Sequence, residues 1–485
     1  MKLYFSDFFE VSPQVIEEYG AFDISLINDL PLFIDPFLLF NSKKEEYQQL
    51  HTNILKYLYF LKDKSNTIKI TDGLLKAWYQ FPEVKQNWFG FCEDGNGGSG
   101  LGKEFAISLH ENLQNIFNDF GNEKVTKGTH LEKLCLIKER VGKDNISDFT
   151  TNLIHGYLLK YTETFAEKYI DEKYLKEIAV RGANFNYERE VWETNRFKLP
   201  FINNDYVLLT PRDMLTKDET WISRFDLLNR FADIPPAISN VELREQINNY
   251  FYSMIPEKPT QRDKQEALSK TIKEYPELID YYIKNKEDHG DTAEKISIDK
   301  VLFSINKYVK QFGELAKILS SSTNFYGFSG DTYEEAHQRL IFLKDVIENK
   351  DGYKIFYSNG IPIQKENDLQ ILYRLTWFAS SSDVNREVNN GRGPVDFKIS
   401  RGDSDKTLIE FKLASNTKLK RNLEKQVEIY QQANNTKKSI KVILYFSEIE
   451  YKKINTVLND LSLIGNKDIV LIDARKDNKP SASTA

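Results

Sequence analysis

Hydrophobic periodicity changes along this chain, and the change limits the fold more than any other feature. Over the first part, apolar residues recur three and four positions apart. That spacing predicts helices over Glu46–Leu61, Glu104–Phe120 and Ser147–Tyr174. Between Asp144 and Ala166 a single stripe carries Ile146, Phe149, Leu153, Tyr157, Leu158 and Tyr161. Beyond residue 380 the apolar residues fall in short runs that alternate with polar ones. Strands are expected at Val384–Val388, Val395–Ile399, Thr407–Leu413, Ile440–Phe446 and Ile469–Ile472. A chain with both periods is neither all-α nor all-β. We read a multidomain protein, with a mainly α-helical N-terminal region and a C-terminal α/β domain.

Between these parts the signals are mixed. Val207-Leu208-Leu209-Thr210 reads as a buried strand ended by Pro211. Residues 238–320 are helical and highly charged, broken by prolines at Ile255–Thr260, as a solvated helical layer would be. Ser320-Ser321-Ser322-Thr323 marks a linker, and Thr332 with Glu335 has capping-box spacing for a new helix. Further helices are expected at Lys365–Ala379, Leu419–Ala433 and 449–461. The resulting division is 1–185 helical, 186–340 mixed then helical, 341–476 α/β, and a disordered tail at 477–485.

Charge and cysteine content narrow the setting. The 485 residues carry 66 Lys and Arg against 72 Asp and Glu, a net charge of −6, which excludes a uniformly basic nucleic-acid coat but not a local basic cleft. The two cysteines, Cys92 and Cys135, form neither a disulfide framework nor a Cys-type zinc site, so a reduced, cytoplasmic setting is expected. No apolar run approaches the roughly 18 residues of a membrane span, and the start has no signal-peptide pattern.

The chemistry concentrates near Gly391-Arg392-Gly393-Pro394-Val395-Asp396-Phe397 and Leu408-Ile409-Glu410-Phe411-Lys412-Leu413. In strands, side chains alternate between faces. Glu410 and Lys412 therefore share a face, opposite Ile409, Phe411 and Leu413. Val395, Phe397 and Ile399 face a core while Asp396 points away. The turn Arg401–Asp405 allows a hairpin that brings Asp396 beside Glu410. Two adjacent carboxylates repel unless a cation separates them, and hard oxygen ligands suit Mg²⁺ or Mn²⁺. A lysine on the same strand could orient water or stabilise charge on a phosphate.

This pattern resembles the PD-(D/E)xK nuclease superfamily, with Pro394-Val395-Asp396 as its first half and Glu410-Phe411-Lys412 as its second. Gln426-Val427-Glu428-Ile429-Tyr430 is similar to the Gln-x-x-x-Tyr motif of its RecB-type branch. Gln426 and Tyr430 would lie one helical turn apart on one face. The resemblance implies a restriction-endonuclease-like fold for the C-terminal domain, with Asp396, Glu410 and Lys412 catalytic. It implies Asp396 and Glu410 as ligands of Mg²⁺ (or Mn²⁺), and Gln426 and Tyr430 holding backbone and site geometry. An upstream acid is expected: Glu366 first, which could equally be a helix-start carboxylate, and Glu387 second. Arg386, Arg392, Lys398, Arg401, Lys406, Lys418, Lys420, Arg421 and Lys425 crowd this stretch and suit a phosphate track.

The expected activity is Mg²⁺-dependent hydrolysis of DNA, with RNA not excluded. By analogy, the setting is bacterial restriction or anti-phage defence, with an N-terminal sensor region, a phage or host protein trigger or partner subunit, and a homo-oligomer also open. The rival reading is a catalytically silent nucleic-acid-binding or regulatory protein that keeps the fold. One other motif stands out. Gly97–Lys103 nearly fits Walker A spacing, but Glu104 replaces the Mg²⁺-binding Ser or Thr, so it reads as a loop or anion-sensing site. The six histidines show no metal spacing, and no Gly-x-Ser-x-Gly supports a serine nucleophile.

Overall fold

The architecture is that of a computed structural model, which describes residues 2–27, 29–90, 101–113, 120–136, 143–217, 219–314, 317, 330–358, 360–364, 366–377, 380, 382–389, 394–402, 404–424 and 438–479. The long helix Glu45–Thr67 buries Leu50, Ile54, Leu58 and Leu61, the face its spacing predicts. The stripe from Asp144 to Ala166 is two helices, Lys143–Leu153 and His155–Tyr169, broken at Ile154.

The helical N-terminal region also contains sheet. Strand β1 (Leu32–Ile34) is followed by β2 (Leu175–Asn186), β3 (Val191–Ile202), β4 (Asp205–Tyr206) and β5 (Leu215–Lys217). β2, β3 and β4 form an antiparallel meander, and β1 pairs with β5. The boundary expected at 185 therefore cuts a hairpin. Asn203 and Asn204, at φ 51° and 64°, make the tight turn into β4. Val207–Thr210 is buried and extended but joins no sheet. Its N–H groups go instead to Pro200 O, Gln86 O and Thr162 Oγ1.

Helices Val241–Ser253, Gln261–Glu274, Glu277–Asp288 and Gly290–Ser304 follow, then the π-helix Ile305–Gln311. They pack against the N-terminal region rather than standing free. The Glu287 carboxylate accepts from Lys127 N at 2.7 Å, Gly128 N at 3.0 Å and His130 Nε2 at 2.9 Å.

The C-terminal unit opens with the helix Thr332–Asn349, so it begins before the expected residue 341. The cap is Asp331, whose side chain accepts from Glu334 N. Thr332 bonds Asp405 and Thr407 instead, and Glu335 is buried in ion pairs with Arg339 and Arg401. After the small hairpin of β6 (Tyr357–Ser358) and β7 (Ile361–Pro362) come the helix Asn367–Leu375 and five strands. These are β8 (Asp383–Asn389), β9 (Pro394–Arg401), β10 (Asp405–Leu413), β11 (Lys438–Tyr445) and β12 (Ile469–Asp473). They form one sheet in the order β12-β11-β10-β9-β8, antiparallel from β8 to β10 and parallel from β10 to β12.

Both faces of the sheet are covered. Ile409, Phe411, Val442 and Leu444 join the main core, and Ile443 and Tyr445 pack in a second cluster with Ile454 and Leu458 of the helix Glu448–Asp460. That explains why β11 reads as a continuous apolar run. Among the described residues, no helix is long and apolar enough to cross a membrane.

Candidate active site

The site forms where β9 stops pairing with β10. The antiparallel register ends at Ile409↔Phe397, which leaves Asp396 and Glu410 at the next position. Beyond it, β10 has backbone N–H groups without a strand partner on that side. Two carboxylates take them. Phe411 N donates to Asp396 Oδ2, and Leu413 N donates to Glu366 Oε1 at 3.2 Å. The sequence thus ends a ladder with acids, which places two negative charges on one strand end.

Glu410 and Lys412 project from the same face of β10, as strand alternation requires, and Lys412 Nζ lies 3.0 Å from Glu410 Oε1. Both are largely covered, with side chains 10% and 17% exposed. Burial pushes the Asp396 carboxyl up to about 7. The Lys412 charge and the Phe411 N–H oppose that rise, while Glu410 and Glu366 add to it. For Lys412, burial alone favours the neutral amine. The charges of Asp396, Glu410 and Glu366 outweigh it and hold the ammonium above its usual range. Three carboxylates and one amine therefore share a single electrostatic neighbourhood.

The helix Asn367–Leu375 anchors this group from one side. Glu366 stands at its N-cap, and Gln370 one turn on donates from Nε2 to Asp396 Oδ1 at 2.9 Å. Tyr373 of the same helix is fully buried, with its ring 5.3 Å from Phe397 and 5.2 Å from Phe411. Asp368 ties the helix to the middle region, accepting from Lys307 Nζ and from Tyr308 OH at 2.8 Å.

Two residues at the site were not read from the sequence. Gln370 is one. Lys441 is the other: it lies in β11 in register with Glu410, and its Nζ donates to Leu423 O at 2.7 Å. Burial and the Lys412 charge push its pKa down against the pull of Glu410. The available signals were a glutamine four residues after Glu366 and a lone lysine inside the apolar run Ile440–Leu444.

Of the residues singled out from the sequence, Asp396, Glu410, Lys412 and Glu366 come together. Gln426 and Tyr430 lie outside the described residues, as do Arg392, Lys425 and Gly97–Gly100 of the glycine-rich loop; Glu387 lies in β8, its side chain likewise outside. Lys103 begins the helix Lys103–Glu111 and sits 3.5 Å from Asp72. Two members of the basic cluster have structural partners: Arg401 pairs with buried Glu335, and Lys420 with Asp460 at 2.7 Å. Lys418 and Arg421 are exposed.

Among the described residues, no three His, Cys, Asp or Glu side chains form a group that could hold a metal ion. The donor set still fits one kind of ion. A hydrated Mg²⁺ or Mn²⁺ binds through one or two carboxylates and keeps its waters, so it needs no protein cage. Asp396 and Glu410 offer such a pair, and a bound cation would offset the burial that raises the Asp396 pKa.

Two family models match the chain. Residues 10–223 match a domain of unknown function (DUF8370), and residues 332–448 match another (DUF8371). The second match begins at the first residue of the helix that opens the C-terminal unit. No curated protein and no solved structure matches.

Proposed function

We propose that the C-terminal unit is a divalent-metal-dependent nuclease of the PD-(D/E)xK type, hydrolysing phosphodiester bonds in DNA. The observation that carries this reading is the gathering of Asp396, Glu410, Lys412 and Glu366 at the point where β9 leaves β10. Asp396 and Glu410 would hold Mg²⁺ or Mn²⁺, while Glu366 accepts from Leu413 N and adds negative charge beside them. The ion would acidify a bound water and neutralise charge on the phosphate. Lys412, kept protonated by three carboxylates, orients the attacking water or donates to a phosphate oxygen. Gln370 fixes the Asp396 carboxylate, and buried Lys441 offsets the negative charge beside Glu410. Exposed Lys418 and Arg421 follow β10 and are available to a phosphate backbone.

In this reading the protein is a restriction or anti-phage defence effector, and its N-terminal region senses a phage or host protein or a partner subunit. One observation favours a second reading, a catalytically silent nucleic-acid-binding module. Lys412 already pairs with Glu410, and the described residues hold no closed metal cage. A cleavage assay separates them. Supercoiled, linear and single-stranded DNA and RNA are incubated with wild-type chain in Mg²⁺, with and without EDTA. Cleavage of a DNA substrate that EDTA stops supports the nuclease. Binding without cleavage in Mg²⁺ and in Mn²⁺ supports the silent module.

A further inference from the structure

A separate cavity of about 390 Å³ lies in the N-terminal region, between the Gln80–Gln86 segment, the helices Lys143–Leu153 and His155–Tyr169, and the β2–β3 hairpin. That volume is at the lower end of small-molecule sites, which run from about 300 to 1,000 Å³. Aromatic rings form much of its wall. Phe81 and Trp192 meet edge to face with centroids 6.0 Å apart, and Tyr206 completes the lining.

Two polar groups in the cavity, Asn152 and His155, are held in place. Asn152 Nδ2 donates to Pro82 O at 2.9 Å and to Asp148 O at 2.8 Å, which assigns its amide orientation and leaves Oδ1 as an acceptor. His155 is buried; burial pushes its pKa down to about 4 despite a bond to the Gly182 backbone, so the imidazole is neutral. Its Nε2 lies 3.4 Å from Tyr206 OH. Gly156 fits closely against β2: a Cβ there would come within 2.4 Å of Asn184 Oδ1 and 2.6 Å of Ala183 O. Glu83 adds a carboxylate to the lining. Arg181, exposed on β2, also lines the cavity and forms no ion pair among the described residues.

We propose that this cavity binds a nucleoside monophosphate whose base carries an amino group. The rings supply π-faces for the base, as aromatic side chains do in single-strand binding sites. Asn152 Oδ1 and Glu83 accept from the base edge, and the Arg181 guanidinium takes the phosphate. The site is separate from the C-terminal sheet and does not rest on the nuclease reading.

Calorimetric titration of the full chain with AMP, GMP, CMP and UMP tests it, with inorganic phosphate as control. At least one of AMP, GMP or CMP should bind at one saturable site, with Kd below about 1 mM. Arg181→Ala changes an exposed residue and should weaken that binding by about tenfold or more. Asp396→Asn should leave it within about twofold, which separates this cavity from the C-terminal site. No saturable binding by any of the three amino-bearing nucleotides would overturn the proposal. So would affinity unchanged in Arg181→Ala, affinity lost in Asp396→Asn, or equal binding of phosphate alone.

Discussion

Replacing Asp396 by Asn should stabilise the protein while ending cleavage, and the size of the gain should depend on pH. Burial and two neighbouring carboxylates raise the Asp396 pKa from 3.8 to about 7. The folded state therefore holds the proton more tightly than the unfolded one between about pH 4 and pH 7. Stability from this group falls as pH rises through that window and levels off above it. A pKa that differs by one between the folded and unfolded chain corresponds to about 1.4 kcal/mol, so the full difference has an upper bound of about 4 kcal/mol. Between pH 5 and pH 7 it amounts to about 2–3 kcal/mol. Lys412 does not interfere: its pKa is raised, so its contribution is lost only at strongly alkaline pH.

The amide keeps the shape of the site. Asn Oδ1 can accept from Phe411 N, and Gln370 can turn its carbonyl toward Nδ2. Urea unfolding of both chains at pH 5, 6, 7 and 8 in EDTA reads the effect. The advantage of Asp396→Asn should grow by about 2–3 kcal/mol from pH 5 to pH 7 and then stay nearly flat. Mg²⁺ at about 100 times its Kd should then add about 2.7 kcal/mol to wild type alone. Parallel stability profiles for the two chains, or equal Mg²⁺ stabilisation of both, would refute the electrostatic reasoning.

Other perturbations have distinct signatures. Lys412→Ala should lower single-turnover cleavage by about 10²-fold or more while DNA affinity in a filter-binding assay changes by only a few-fold. Lys307→Met leaves Asp368 buried against the middle region without its cation, and should cost about 3–5 kcal/mol in calorimetric unfolding. It should also increase proteolysis around the helix Asn367–Leu375. Glu335→Ala removes the carboxylate that both Arg339 and Arg401 pair with, and a similar loss of about 3–5 kcal/mol is expected by the same measurement.

The parts of this structure legible in the sequence are those where one physical signal dominates. The alternation in Pro394–Arg401 and Asp405–Leu413 locates both strands within two residues and puts Asp396 beside Glu410, because one face of each strand has to be apolar. The charged helices of residues 241–304 are legible from caps and a proline break, with Thr260 and Asp263 forming a capping box. What stays hidden depends on tertiary partners. Leu175–Asn186 alternates weakly, and its burial comes from the helix His155–Tyr169 packed on it, so it merges with the mainly helical region expected to residue 185. Val207–Thr210 has the composition of a strand, yet Val207, Leu208 and Leu209 donate to Pro200 O of β3, Gln86 O and Thr162 Oγ1 in turn rather than to one ladder. Glu335 matches a capping-box position but is held by Arg401, distant in sequence. The role of Lys441 depends on the parallel pairing of β10 with β11, which no local pattern announces.

The most direct measurement is a crystal structure of wild-type chain soaked in Mn²⁺, with anomalous scattering used to locate the ion. The expected result is one strong peak coordinated by the carboxylates of Asp396 and Glu410, absent from Asp396→Asn crystals soaked alike. A soak that leaves no peak between those two side chains, or that places the ion among other ligands while the protein still cuts DNA, would contradict a metal-dependent site at the end of β9.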